Sequence, residues 1–241
     1  ICSLAELRPV GTGEQRERYL LPCIRGEKID CLAMTEPAAG SDLRSMICRA
    51  DVDGNEYVIN GTKHFISHAD IADFVILFAA TGEEATSRGV KKLISAFLVD
   101  KGTTGFTVRP GYHSVSHRGY HNSILEFDHC RVPASQMLGE KDQGFQVAND
   151  WLGATRLQVA AMCLGRAHRA LELANQWAAQ RQQFGQPVGR FQGVGFKLAD
   201  MKMRLEAAEL LTLQAAWKTD QGTATDTDYA MAKLYSTEML A

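Results

Sequence analysis

The chain contains 241 residues, of which 45% are hydrophobic and 22% are charged, and this balance excludes a disordered protein. Its length predicts one or two soluble domains that bury roughly 70% of their extended surface. A net charge of -2 lacks the basic excess of nucleic-acid-binding proteins, so no nucleic-acid partner is expected. Apolar runs such as residues 74–80 are far shorter than the roughly 20 residues that cross a bilayer, so no membrane association is expected.

Alternation and turn residues predict the elements in the first part of the chain. Residues 1–30 predict two short helices, interrupted by turn-forming residues at 9–13. Residues 31–138 alternate between apolar and polar positions, which predicts an antiparallel barrel or sandwich. Asp53-Gly54 and Asn60-Gly61 predict short turns between strands. The predicted strands lie at 57–59, 64–67, 73–79, 93–99, 106–108 and 123–127.

The pattern becomes helical from about Gly144. One long amphipathic helix is predicted to include residues 156–167, another covers 191–217, and a third begins near Asp226. These helices predict most of an antiparallel bundle, which needs further helices or a partner to cover its apolar faces. The predicted fold class is therefore α+β, an antiparallel β-barrel followed by an incomplete antiparallel helical bundle. The last helix has no predicted end, so we expect the chain to be cut there.

Metal and disulfide sites are not predicted. The six cysteines include no CxxC pair, so we expect them to be reduced and mostly buried. His113, His117 and His121 recur every four residues, which on a helix would create a metal site. The glycines and the proline of this stretch predict a loop or strand instead, where the spacing does not bring the imidazoles together. The sequence also lacks GxGxxG, P-loop, GxSxG and HExxH motifs.

A short apolar run is followed by the segment MTEPAAGSD at residues 34–42. Its backbone N–H groups and two hydroxyls can bind a flat or anionic ligand. The same residues can equally form a strand-to-turn connection capped by Ser41 and Asp42. The residues alone leave both interpretations open.

This segment closely resembles the first signature of the acyl-CoA dehydrogenase family, a Thr-Glu-Pro-x-x-Gly-Ser-Asp loop that follows the first strand of a middle β-domain. Three more segments resemble that family in the same order. Residues 11–20 resemble the end of its N-terminal helical domain, and residues 61–67 resemble its next flavin-lining strand. Residues 181–185, followed by 191–192, resemble its helix-turn-helix cofactor contact.

The resemblance implies three segments: the end of an N-terminal helical domain at 1–30, a middle β-barrel domain at 31–138 and a truncated C-terminal helical bundle at 139–241. It implies an enzyme that uses FAD to dehydrogenate an acyl-CoA thioester between the α- and β-carbons. The implied partners are an electron-transferring flavoprotein and further copies of the chain, in a homotetramer. The implied location is the cytoplasm of a bacterium or the mitochondrial matrix of a eukaryote.

The resemblance also implies roles for individual residues. Thr35 would present its hydroxyl to the flavin edge, and Phe65 and Ser67 would flank the ring system where many relatives have Trp and Thr. Phenylalanine keeps an aromatic wall but lacks the indole N–H. Ser41 would contact the thioester ligand. The implied FAD contacts are Leu32, Met34, Thr35, Phe65 and Ser67, with Arg181, Gln183, Phe184 and Gln192 reaching the FAD of a neighbouring subunit.

Arg156 occupies the position at which relatives contact the CoA nucleotide, often beside an aspartate three residues earlier. That earlier position is Gly153 in this chain, so Arg156 has an alternative role as the partner of an acid in the bundle. Relatives hold the catalytic glutamate either immediately before this arginine, where the chain has Thr155, or much later. A hydroxyl cannot act as this base, so we expect the catalytic glutamate beyond residue 241.

Other carboxylates of the chain do not fit the role of the base, and two other functions remain as alternatives. Glu206 and Glu209 fit polar positions of an amphipathic helix, and Glu36 is expected to be structural. A flavin-dependent oxidase or monooxygenase on the same scaffold is the first alternative, and the departure at Gly153 slightly favours it. A non-redox binding protein is the second alternative, which the mild negative charge disfavours.

Overall fold

The protein is described by a computed structural model over residues 7–87, 89–115, 118–119 and 121–241. The chain divides into two compact units, Ile1–Trp151 and Leu152–Ala241. Within the described ranges, no helix has both the length and the apolar character that a membrane span requires.

Short helical segments begin the first unit: α1 Leu7–Val10, α2 Gly13–Gln15, a π-helical turn Arg16–Leu20 and α3 Leu21–Ile24. Thr12 caps α2, because its hydroxyl accepts the N–H of Gln15 at 3.2 Å and its own N–H donates to Gln15 Oε1 at 3.1 Å. Helical structure is therefore confirmed over residues 7–24, where it is divided into more pieces than the two predicted helices, while residues 1–6 of the prediction lie outside the described residues.

Eight strands of the described chain form one sheet in the order β6-β7-β3-β2-β4-β5-β8, with β1 paired to β4. Most neighbours are antiparallel, but β1 runs parallel to β4, and β2 meets β4 through one parallel pair. The sheet and the helices after it confirm the α+β class, while closure into an antiparallel barrel stays a prediction. The strands are β1 Asp30–Ala33, β2 Arg49–Asp53, β3 Glu56–Ser67, β4 Phe74–Thr86, β5 Gly89–Asp100, β6 Phe106–Pro110, β7 Asn122–Pro133 and β8 Met137–Leu138.

Strand β4 is buried on both faces, which explains its continuous apolar run. Phe74 and Ile76 pack into one hydrophobic cluster, whereas Val75 and Leu77 pack into another. All four side chains are at most 1% exposed. The first unit therefore has two apolar layers, one on each side of β4.

Strand β3 differs from the prediction. Residues 57–59 and 64–67 belong to one strand, so the turn predicted at Asn60-Gly61 is wrong. The register with β7 shifts beside Gly61 instead, and a Cβ atom there would lie 2.6 Å from Cys48 Cα. Glycine is needed because β3 passes so close to the backbone of its neighbour. The turn at Asp53-Gly54 is confirmed between β2 and β3.

Three long helices follow the sheet: α4 Gly144–Gln180, α5 Gln192–Asp220 and α6 Asp226–Leu240. They confirm the helices predicted in the C-terminal part. A hairpin of β9 Gln182–Gln183 and β10 Gln186–Pro187 joins α4 to α5. In the second unit, small side chains line one contact between the three helices, at Ala160, Ala215 and Ala232.

Candidate functional site

The loop after β1 turns back on itself and exposes its tip. Glu36 N–H donates to the carbonyl of Ala39 at 2.9 Å, and Ala39 N–H donates to the carbonyl of Glu36 at 3.2 Å. Thr35 is half-buried, and Ser41 is exposed beyond this turn. Leu32 and Met34 face the apolar cluster that contains Phe74, the first residue of β4. The predicted residues of this segment therefore occupy one loop at the end of a buried strand.

Glu36 anchors the loop from below. Its carboxylate is 2% exposed and lies 2.8 Å from the ammonium of Lys63, which is 0% exposed. The same carboxylate accepts the N–H groups of Ile47 at 2.6 Å and Cys48 at 3.0 Å. A buried charge needs this degree of pairing, because an unpaired one would be strongly destabilising. The structural role expected for Glu36 agrees with these contacts.

Strand β3 passes beside this loop and turns Phe65 outward. The N–H of His64 donates to the carbonyl of Thr35 at 3.0 Å, which joins the two segments directly. Between Lys63 and Ile66 the register with β7 shifts, and Phe65 has a φ of 56°. A bulge of this kind redirects a side chain, and here the Phe65 side chain is half-exposed.

Phe65 belongs to a cluster of three rings. Its centroid lies 4.4 Å from that of Tyr112 and 4.4 Å from that of His64. Tyr112 OH is 3.4 Å from His64 Nδ1. Ser67 ends β3 opposite Asn122 and is half-buried. Thr35, Phe65 and Ser67 are thus carried by two adjoining segments, which present an exposed aromatic surface together with two hydroxyl-bearing residues.

A cavity of ≈ 690 Å³ lies at the ends of β6 and β7. It is lined by Tyr112, Arg109, Asp70 and His121, among others, and Asp70 Oδ2 lies 2.8 Å from His121 Nδ1. This contact holds the pKa of the Asp70 carboxyl below its usual value. The described residues contain no cluster of three or more metal ligands, while His117 of the predicted histidine series lies outside them.

The sequence predicts no role for Lys63, although it lies within the predicted flavin-lining segment 61–67, and it does not place Tyr112 in this region. Lys63 occupies an inward position of β3, in phase with the buried Tyr57 and Ile59, and a lysine in such a position signals a buried partner. Tyr112 gave no comparable signal, because it follows β6 and lies far from Phe65 in the sequence. Only the pairing of β6 with β7 brings it to the bulge.

In the second unit, the predicted cofactor residues lie together on the connection between α4 and α5. Arg181, Gln183, Phe184 and Gln192 are all exposed. Phe184 is 91% exposed, has a φ of 52° and places its ring 6.0 Å from that of Phe191, edge to face. Arg181 makes no salt bridge within the part of the chain that is described. Its guanidinium group is therefore accessible to a ligand.

Arg156 lies 3.5 Å from Asp226, so the alternative of an acid partner in the bundle is the observed contact. The Arg156 side chain is 33% exposed, and it borders a cavity of ≈ 420 Å³ with Met231. A Cβ atom on Gly153 would lie 3.3 Å from the ring of Tyr229. That ring lies beside position 153, so a side chain at this position would require the Tyr229 ring to shift by a few tenths of an ångström.

The glutamates considered as substitutes for the missing base, Glu206 and Glu209, lie at the helix surface. Glu206 pairs with Lys202, which lowers the pKa of the Glu206 carboxyl, and Glu209 lies 3.5 Å from His168. Thr155 is half-buried on α4. None of these positions supplies a desolvated carboxylate of the kind that abstracts a weakly acidic proton.

The cysteines of the described chain are free, as predicted, and Cys31, Cys48, Cys130 and Cys163 are buried. Burial raises the pKa of the Cys48 thiol to about 11 and that of Cys31 to about 12. These thiols are therefore protonated at neutral pH and unsuited to nucleophilic chemistry.

Comparison with known proteins finds relatives of similar sequence and solved structures of the same fold. A 3-(aryl)acrylate reductase of Clostridium sporogenes is 40% identical over 229 residues, which are 95% of this chain and 60% of the relative. The butyryl-CoA dehydrogenase structure from Megasphaera elsdenii has a TM-score of 0.90 and 37% identity, over 98% of this chain and 61% of that one. A structure of PigA with FAD and proline has a TM-score of 0.93 and 35% identity, over 99% of this chain and 62% of that one.

The chain thus spans about three fifths of the length of these proteins. The acyl-CoA dehydrogenase middle-domain family matches residues 31–130, and the acyl-CoA dehydrogenase C-terminal-domain family matches residues 142–241. These two matches follow each other along most of the sequence, so the chain belongs to the acyl-CoA dehydrogenase family.

Proposed function

We propose that the protein uses FAD to dehydrogenate an acyl-CoA thioester between its α- and β-carbons. The observation that carries this proposal is the juncture of Thr35 and Phe65, whose segments are joined by the 3.0 Å hydrogen bond from His64 N–H to the Thr35 carbonyl. This juncture presents an aromatic surface beside a hydroxyl, which suits a flat ring system with polar edges. Butyryl-CoA dehydrogenase of Megasphaera elsdenii, which has the same fold, acts on such a thioester.

The residues at this juncture fit FAD. Phe65 and Tyr112 are about half-exposed, so a bound ring would cover apolar surface that water now contacts. Thr35 and Ser67 carry hydroxyls that both donate and accept hydrogen bonds, as flavin nitrogen and oxygen atoms require. PigA has been seen with FAD on the same fold. Bound FAD would supply the acceptor for the hydride that leaves the β-carbon.

The chain's own residues would then bind and orient the ligands. Leu32 and Met34 support the loop from the apolar cluster beneath it. Ser41, at the exposed end of the loop, would contact the thioester or its pantetheine arm. Arg156 would contact the CoA nucleotide after giving up its weak 3.5 Å contact with Asp226.

Arg181, Gln183, Phe184 and Gln192 would bind the FAD of a neighbouring copy of the chain. The exposed guanidinium of Arg181 suits a pyrophosphate, because its planar fork makes two charge-assisted hydrogen bonds at once. This arrangement requires a homo-oligomer, and we propose a tetramer. Apolar side chains such as Trp177, Phe196 and Leu210 are more than 60% exposed, which supports further helical contacts.

The remaining parts of the proposal concern the whole protein. The base that removes the α-proton is a glutamate outside these 241 residues, since Thr155 cannot serve and Glu206 is a surface carboxylate paired with Lys202. The domains are the end of a helical domain at 1–30, a β-barrel at 31–138 and a helical bundle from 139. An electron-transferring flavoprotein accepts the electrons, in the bacterial cytoplasm or the mitochondrial matrix.

The test is the visible spectrum of the purified full-length protein, followed by anaerobic titration with short, branched and medium-length acyl-CoAs. We expect a yellow protein whose flavin absorbance is bleached by one class of thioester at a one-to-one ratio. A colourless protein that added FAD cannot restore would contradict the proposal. A yellow protein that no acyl-CoA bleaches would preserve the cofactor but refute the reaction.

A flavin-dependent oxidase or monooxygenase is the second candidate, and the observation that favours it is the ring of Tyr229 beside Gly153. With that ring beside a glycine, position 153 carries no carboxylate of the kind that relatives often have three residues before this arginine. The discriminating experiment compares an acyl-CoA with the same acyl group on pantetheine, which lacks the nucleotide. Dehydrogenation of acyl-CoA predicts at least tenfold weaker binding of the pantetheine thioester, which is about 1.4 kcal/mol. Equal binding, together with rapid reoxidation of the flavin by air, favours the oxidase.

A further inference from the structure

The ion pair between Lys63 and Glu36 is the most completely buried charged contact in the described chain. The two side chains are 0% and 2% exposed, and Nζ lies 2.8 Å from Oε1. Such pairs contribute little net stability, because the desolvation of both charges offsets their attraction. The role of a pair that adds little to stability can be to fix the positions of the groups it contacts. The contacts of Lys63 and Glu36 identify those groups.

The pair holds the backbone on both sides of Thr35. Lys63 Nζ donates to the carbonyl of Met34 at 3.0 Å as well as to the carboxylate of Glu36. The residue before Thr35 and the residue after it are therefore tied to one ammonium group. Glu36 is in turn fixed by the N–H groups of Ile47 and Cys48. Thr35 has little freedom to move relative to β3.

The same lysine precedes the bulge that exposes Phe65. The register shift begins at Lys63, and the next residue, His64, donates its N–H to the carbonyl of Thr35 at 3.0 Å. Phe65 then adopts a φ of 56°, which is unfavourable for a bulky side chain. A conformation of this kind persists only when surrounding contacts impose it. The contacts of the two preceding residues are the hydrogen bond from His64 N–H to the Thr35 carbonyl and the ion pair of Lys63 with Glu36.

We propose that Lys63 and Glu36 are positioning residues, which set Thr35 and Phe65 relative to each other and thereby fix the affinity and environment of the bound flavin. The proposal rests on the proposed function, because it names the residues that shape the FAD site. Neither residue contacts the ligands in this assignment. Both act through the loop of residues 34–36 and the bulge that follows Lys63.

The experiment uses the full-length protein and three variants: Glu36→Gln, the charge-free double variant Lys63→Met with Glu36→Leu, and the control Leu125→Ala. Leu125 is opposite Lys63 in the β3–β7 register and is 0% exposed, so its truncation destabilises the same place in the sheet without touching the pair. Removing both charges together avoids an unpaired buried ion, so the double variant is expected to fold. The measurements are the FAD dissociation constant, the flavin spectrum, the urea midpoint and amide hydrogen exchange.

We expect both variants of the pair to bind FAD roughly tenfold more weakly, with a shifted flavin spectrum, because each loses a charge-assisted hydrogen bond that orders the loop. Leu125→Ala is expected to lower the urea midpoint further and yet bind FAD within about twofold of the wild type. In the absence of FAD, the amide of His64 is expected to exchange faster in the pair variants than in the control.

Two results would overturn the proposal. The first is a folded pair variant whose FAD affinity and spectrum match those of the wild type. The second is an amide exchange rate at His64 that depends only on global stability. In that case the control and the pair variants would show the same relation between this exchange rate and the urea midpoint. A wild-type protein that binds no FAD refutes the proposed function instead, and the exchange measurement still decides whether the pair holds the two segments together.

Discussion

Replacing Arg181 with alanine separates cofactor binding from folding. Arg181 is exposed, lies in the connection between α4 and α5 and makes no salt bridge in the described chain, so its side chain contributes little to the stability of its own unit. The change is expected to alter the free energy of unfolding by less than about 0.5 kcal/mol. Any larger effect must then appear in ligand binding.

The size of that effect follows from the proposed contact. A hydrogen bond to a charged group contributes about 1.5–3 kcal/mol, which corresponds to roughly 10- to 100-fold in the FAD dissociation constant. Arg190→Ala is the matched control, because Arg190 is also an exposed arginine in the same connection but was not implied as a cofactor contact. The dissociation constant is measured by quenching of flavin fluorescence, and the oligomeric state by light scattering.

Arg181 does not bind FAD as proposed if Arg181→Ala binds the cofactor as tightly as the wild type does, or if Arg190→Ala loses the same affinity. Loss of the oligomer in Arg181→Ala without FAD present would also contradict it, since the arginine would then be an assembly contact. Because Arg181 is proposed to bind the FAD of a neighbouring copy, a mixture of two variants offers a further check.

The Phe65→Ala variant, which has a defective ring surface, is mixed with the Arg181→Ala variant. Mixed oligomers are expected to regain some sites that bind FAD tightly, because Phe65 of one chain and Arg181 of the other are both intact there.

Two further predictions concern stability. The Lys218 ammonium lies 2.5 Å from the Asp228 carboxylate and lowers the pKa of Asp228 to about 2, from the usual value of about 3.9. This carboxylate therefore stabilises the fold fully above pH 4 and progressively less as the pH falls towards 2. Asp228→Asn should make acid unfolding, followed by circular dichroism, less steep in that pH range, and an unchanged acid transition would contradict this role of Asp228. Gly61→Ala should lower the free energy of unfolding in urea by roughly 3 kcal/mol or more, because the new Cβ would lie 2.6 Å from Cys48. Gly54→Ala, whose Cβ would meet no atom within 4 Å, should lower it by only about 1–2 kcal/mol. Equal losses would show that the close approach to Cys48 is not what requires glycine at position 61.

Local pattern was sufficient for most of the fold. The strands β4, β5 and β7 are predicted because apolar residues dominate their local sequence, and the long helices follow from their periodicity. Strand β2 was not predicted, since its sequence Arg-Ala-Asp-Val-Asp is mostly exposed and charged and is held in place by pairing with β3. Pairing of that kind depends on residues distant in the chain, which local pattern does not reveal.

The candidate site divides in the same way. Its loop at residues 34–42 and the connection after α4 were recognised by resemblance, and each is contiguous in sequence. Tyr112 and the partner of Glu36 were not recognised, because their contacts join segments that only the sheet brings together. For Arg156 the alternative contact, with an acid of the bundle, is the one observed, at Asp226.

Three departures from local rules fall within six residues of β3, at Gly61, Lys63 and Phe65. A dipeptide that favours a turn continues a strand, a lysine is fully buried, and a phenylalanine adopts a left-handed conformation. Each departure is unfavourable by itself, and each is accompanied by a contact with a residue outside β3. Cys48 packs against Gly61 and Glu36 pairs with Lys63. Tyr112 packs on Phe65. Because sequences obey local rules wherever only folding is at stake, a concentration of costly exceptions marks a segment kept for another purpose. In β3, these exceptions together form the surface beside Thr35 to which the flavin is proposed to bind.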